Sequence, residues 1–195
     1  MAICEVMLAA LVERFSDRGL RIDTPPDPIA VFPAMHPEVG DVSVRGGGIE
    51  TNFNVTVAVG EIIEDDFLNI DSHLKSGERA GRLTEDVVRF LQELFADRLL
   101  LWRSTDGRSA GWRERGDVGY LDPLVLDNRT YRTYLWSGPL SVWQAIPTIF
   151  ARGRIRDDRE YEILATLLEN EGPDAFEGAE RELASRLAAD YKRAV

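Results

Sequence analysis

The sequence predicts an α+β protein: an antiparallel sheet of hairpins packed on a central amphipathic helix, with further helices at the N- and C-terminal ends. Three observations carry this expectation. Apolar and polar residues alternate through residues 42–59, the pattern of a half-buried strand pair. Val87, Phe90, Leu91, Leu94 and Phe95 recur at helical spacing. The order helix, strands, helix, strands, helices lacks the regular β-α alternation that a doubly wound parallel sheet requires.

The first helix is carried by Ile3, Met7, Leu8, Leu11, Val12 and Phe15, with Gly19 as its left-handed stop. Pro25, Pro26, Pro28, Pro33 and Pro37 follow. They lack backbone donors, so Ile29–Phe32 is at most a short edge strand. Val42 and Val44 then pair with Phe53, Val55, Val57 and Val59, and Gly46-Gly47-Gly48 supplies the turn. Residues 61–73 read as a solvated loop. Thr84 before Glu85 and Asp86 reads as the N-cap of the central helix.

Leu99–Trp102 and Trp112–Glu114, separated by Asp106-Gly107, suggest a second hairpin or a longer loop. Residues 119–136 read as further strands, interrupted by Pro123 and Asp127-Asn128. Ser141 caps a short helix whose length Pro147 limits, and Asp157-Asp158 opens a helix carrying Tyr161, Leu164, Leu167 and Leu168. A last helix carries Phe176, Ala179, Leu183 and Leu187. Residues 1–150 are expected to form the α+β core domain, and 151–195 a C-terminal helical extension or subdomain.

With 195 residues the chain can bury a core without staples, and its one cysteine, Cys4, excludes an internal disulfide framework or a Cys-rich zinc site. Residues 1–15 lack the basic start of a secretory signal, and no apolar run reaches membrane-spanning length, so a cytoplasmic protein without a membrane partner is expected. Thirty-four acids against 23 basic residues give a net charge of −11. Such a surface repels a phosphate backbone, so general nucleic-acid binding is not expected, whereas a basic protein partner is. The acidity is concentrated in residues 61–97, with ten acids against four bases; residues 98–136 reverse it, with seven arginines against five acids.

Catalytic templates fail on context. Gly107-Arg108-Ser109-Ala110-Gly111 has the G-x-S-x-G pattern, but no helical period follows it, and His36 and His73 both precede the serine. Gly46-Gly47-Gly48 is followed by Ile49-Glu50, not by the Lys-Ser or Lys-Thr of a phosphate loop. Two lysines, Lys75 and Lys192, leave few options for Schiff-base chemistry. No cofactor is expected.

Two clusters remain. Trp102, Arg103, Trp112, Arg113 and Arg132 interleave arginine with aromatic groups over residues 99–136, suited to stacking a ring or clamping an anion. Alternate aromatics filling one face of a sheet account for the same pattern. Asp66, Asp71 and His73 are the weak metal candidates of the 61–73 cluster, whose spacing matches no calcium loop or histidine pair. The leading expectation is a non-enzymatic, acidic protein-interaction module, for instance an inhibitor or immunity-type protein covering a basic surface. The alternatives are a small-ligand receptor or enzyme built on strands 99–136, and a metal-dependent hydrolase using residues 61–73.

Overall fold

The computed structural model describes residues 3–23, 30–46, 54–68, 73–116, 122–169 and 176–194. Their architecture is α+β, with two antiparallel four-stranded sheets and helices at both ends. The first sheet has the order β1 (Ala30–Phe32), β2 (Val42–Gly46), β3 (Asn54–Val59), β4 (Ile63–Leu68). The second has the order β6 (Ala110–Glu114), β5 (Leu99–Ser104), β7 (Tyr131–Leu135), β8 (Gly138–Leu140). The helices are α1 (Ile3–Phe15), α2 (Ser76–Phe95), α3 (Pro123–Leu126), α4 (Ile146–Arg152), α5 (Asp158–Leu168) and α6 (Gly178–Ala194). No helix among the described residues is long and apolar enough to cross a membrane.

The chain divides into two compact units: residues 1–115 with 134–139, and residues 116–133 with 140–195. In the first unit, α1 buries Met7, Leu11 and Phe15, and Gly19 takes the expected left-handed backbone at φ 71°. Val44 pairs with Val57 and Val57 with Asp65, so one face of the first sheet turns its valines into the core. Phe15, Phe32 and Phe95 meet edge to face, with centroids 5.2–5.7 Å apart. In the second unit, Ile149, Leu164, Leu167 and Phe176 are fully buried, and Trp143 packs edge-on to Phe176 at 4.8 Å.

Several local expectations are corrected. Helix α2 begins at Ser76, not at Thr84, because Ala80 and Leu83 extend the buried stripe one turn and more toward the N-terminus. The Glu78 carboxylate accepts from the Lys75 N–H at 3.1 Å, and Thr84 is an interior, buried residue. Residues 63–68 are strand β4 rather than loop. Within the stretch read as strands, Pro123–Leu126 form a helical turn capped by Asp122, whose carboxylate accepts from the Leu124 N–H at 2.9 Å. Ser141 caps a short 3-10 helix, Val142–Ala145, its hydroxyl accepting from the Trp143 N–H at 3.3 Å, but the chain runs on into α4, whose first turn holds Pro147 where its missing N–H is not needed. In α6 Ala179 is exposed, and Ala184 and Leu187 face inward. Gly47, Gly48, Ile49, Phe53, Asp71, Tyr120 and Leu121 lie outside the described residues.

Candidate functional site

In the first unit part of each cluster comes together, where β4, carrying Asp66, lies beside β6, carrying Trp112 and Arg113; these are the terminal strands of their sheets. Among the described residues each strand is hydrogen-bonded to one sheet neighbour. A tight turn delivers β4: Gly60 adopts φ 50°, its N–H donates to the Asp41 carbonyl at 2.8 Å, and the Ile62 N–H closes onto Val59 at 3.0 Å. From there Ile63, Asp65 and Phe67 alternate with the exposed Glu64, Asp66 and Leu68.

Asp65 sits on the partly buried face and accepts from Trp112 Nε1 at 2.7 Å. The Trp112 ring packs edge-on to Phe90 of α2 at 5.0 Å, and Phe90 packs on Phe67 at 5.3 Å. Indole, carboxylate and two phenyl rings therefore join β4, β6 and α2. A second tie runs from the Arg103 guanidinium to the Glu61 carbonyl oxygen. On the outer face, Thr56 Oγ1 donates to Asp66 at 2.5 Å. Between the strands lies a shallow cleft of about 250 Å³, lined by Ile63, Glu64, Asp65, Ala110, Gly111 and Trp112. Gly111 is required there, since a Cβ would stand 2.9 Å from the Trp102 ring.

Trp102, Arg103, Trp112 and Arg113 thus share the β5–β6 hairpin. Arg132 lies on β7, beside β5 in the same sheet, and its guanidinium donates to the Asn128 carbonyl at 2.8 Å. Asp66 is on β4, His73 is exposed ahead of α2, and no group of three or more metal-ligating side chains converges among the described residues. Ser109 lies at the base of the β5–β6 turn and is followed by β6, not by a helix. That turn is held by Ser104 and Asp106: Ser104 Oγ donates to the carboxylate at 2.7 Å, and the Arg108 N–H donates to it at 3.0 Å. These donors, the hydroxyl first, hold the Asp106 carboxyl below the usual carboxylate range. His36 accepts from the Glu38 N–H on Nδ1 at 3.2 Å, and its ring lies against Gly138.

Every ionisable side chain from residue 60 to residue 68 is an acid: Glu61, Glu64, Asp65 and Asp66. Sequence reading found the acids but not their strand. The apolar partners that reveal it, Ile63 and Phe67, are too few to outweigh three consecutive acids. Chemically, the site offers carboxylates along a sheet edge beside a partly buried tryptophan. A comparison with protein-family models, curated proteins and solved structures finds no match to the chain.

Proposed function

We propose that this chain is a cytoplasmic, non-enzymatic protein-interaction module that receives a basic, extended segment of a partner protein along β4, in the manner of an inhibitor covering a basic surface. One observation carries the reading: the terminal strand of the first sheet and the turn that leads into it bear Glu61, Glu64, Asp65 and Asp66 and no cation. The exposed Glu64 and Asp66 carry their carboxylates on the outer face of β4, where the cations of an extended partner segment meet them. The chain's net charge of −11 adds long-range attraction for a basic partner and repulsion for nucleic acid.

The remaining readings draw less support. On the β5–β6 hairpin, Trp112 is engaged by Phe90 and Asp65, and Arg103 by Glu61, which leaves little of the arginine-aromatic pattern for a small ligand. For the metal-dependent reading, Asp66 is bonded to Thr56 and points to the outer face, while Asp65 serves Trp112.

Fluorescence anisotropy with a labelled alternating Val-Lys peptide tests the proposal, with its Val-Glu counterpart as control. Saturable binding of the Val-Lys peptide is expected in low salt. It weakens steeply toward 1 M salt, where screening acts within roughly 3 Å, and is lost in Glu64→Lys/Asp66→Lys. Equal binding of both peptides, or undiminished binding by the variant, overturns it.

A further inference from the structure

In the second unit, we propose that the cavity between α4 and α5 binds a small oxyanion, a phosphate or a carboxylate, carried on an apolar body. The cavity measures about 340 Å³ and is walled by Arg152, Arg156 and Arg159. Two acids, Asp157 and Glu160, share it, so the wall carries one net positive charge in a chain whose total is −11. Ile149 and Ile163, both buried, supply its apolar floor.

The two acids hold the arginines in place without saturating them. Arg152 Nε donates to the Arg154 carbonyl at 3.1 Å and its Nη2 to Glu160, an ion pair whose side chains are only 26% and 12% exposed. Arg156 Nε donates to Asp157 at 2.9 Å, its Nη2 lies 3.7 Å from Glu160, and its backbone N–H donates to Glu160 at 2.8 Å. A guanidinium carries five N–H donors in a rigid fork. Neither Arg152 nor Arg156 uses Nη1 among the described residues, and Arg159 makes no hydrogen bond or ion pair there.

Glu160 is itself committed to Arg152 and to the Arg156 N–H, while Asp157 caps α5 by accepting from the Glu160 N–H at 3.1 Å. Two forks are therefore oriented before any ligand arrives, and a third cation stands beside them. Such an arrangement suits the paired oxygens of a phosphate or carboxylate, and preorganised donors lose little entropy on binding. The isoleucine floor favours an anion with a flat or aliphatic body over a bare ion.

The test is calorimetric titration of the full chain at constant ionic strength with phenyl phosphate, benzoate, inorganic phosphate and chloride. Phenyl phosphate or benzoate binds saturably and more tightly than inorganic phosphate, and the tighter of the two identifies the head group. In Arg159→Gln the affinity falls about tenfold, the loss of one charge-assisted contact, while the melting temperature falls only slightly, because among the described residues Arg159 makes no hydrogen bond or ion pair and acts on the Asp157 cap only through its charge. Arg154→Gln, outside the cavity, binds like the parent. No saturable binding of either aromatic anion, affinity no better than that of inorganic phosphate, or an Arg159→Gln variant that binds normally would each overturn the proposal.

Discussion

Trp112 Nε1 and Asp65 Oδ2 stand 2.7 Å apart, joining two strands that are 47 residues apart in the chain and belong to different sheets. Asp65 is half-buried, and this is the donor its carboxylate has there, so removing the indole N–H exposes the desolvation cost of the acid. Trp112→Phe keeps the packing on Phe90 and should lower stability by about 1–3 kcal/mol, while Trp112→Ala should lose about 3–5 kcal/mol. Urea unfolding checks both. If the bond carries the difference, Trp112→Phe in an Asp65→Ala background costs clearly less than in the parent.

Gly60 makes the approach of β4 possible. Its φ is 50°, and a Cβ at this position would lie 2.1 Å from the Val39 carbonyl oxygen, a backbone atom that cannot swing aside. Gly60→Ala is expected to cost at least about 3 kcal/mol, adding a steric clash to the left-handed penalty. Gly153→Ala provides the comparison, since Gly153 has φ 68° but open space around the position a methyl group would take, with nothing within 4 Å. It should lose only about 1–2 kcal/mol. Thermal melts of the two variants separate strain from clash, and equal losses would show that the Val39 contact is relieved by movement of the turn.

What the sequence discloses follows from where each pattern is satisfied. The β2–β3 hairpin is legible because its valines alternate without interruption, and α1 because Met7, Leu11 and Phe15 fall on one stripe. Strand β4 is not legible, because an inward position is filled by Asp65 and its partner is a tryptophan far along the chain. Helix α2 is placed late because Gly77, Gly81 and Arg82 dilute its first turns, although Ala80 and Leu83 already mark the buried face. Of the binding candidates, four share one hairpin, and Arg132 lies on β7, the neighbour of β5 in the same sheet, a pairing that spacing alone does not reveal. The arginine cavity has a visible trace, four arginines between residues 152 and 159, yet its meaning depends on how α4 turns into α5.

Asp157 supplies a pH-dependent prediction. The Glu160 N–H is the main reason its carboxyl lies below the ordinary carboxylate value, with Arg156 and Arg159 contributing against desolvation. A depressed folded-state pKa means stability that is fully present above the unfolded value of about 4 and lost as pH falls through the folded value. Asp157→Ala should cost about 1 kcal/mol at pH 7, the usual worth of an N-cap, and progressively less below pH ~4. Circular dichroism melts at pH 7 and pH 3 check this, and a loss that persists undiminished at pH 3 would place the effect in packing instead.

Thr84 points the other way, toward a stabilising change. It lies in the interior of α2, 5% exposed, and its Oγ1 is buried without a hydrogen-bond partner among the described residues. Thr84 lines the groove between α1 and α2 together with Ala10 and Val88 and with Glu13, Arg14 and Gln92. A buried, unpaired hydroxyl carries a desolvation cost that an isosteric apolar group avoids. Valine has the same branched shape as threonine and a similar helix propensity, so the exchange leaves the backbone preference nearly unchanged. Thr84→Val should therefore raise stability by about 1 kcal/mol, and Thr84→Ser, which keeps the hydroxyl and deletes the methyl, should lower it by a similar amount. Urea denaturation of the pair decides the matter: a destabilised Thr84→Val would mean that the hydroxyl is satisfied in solution.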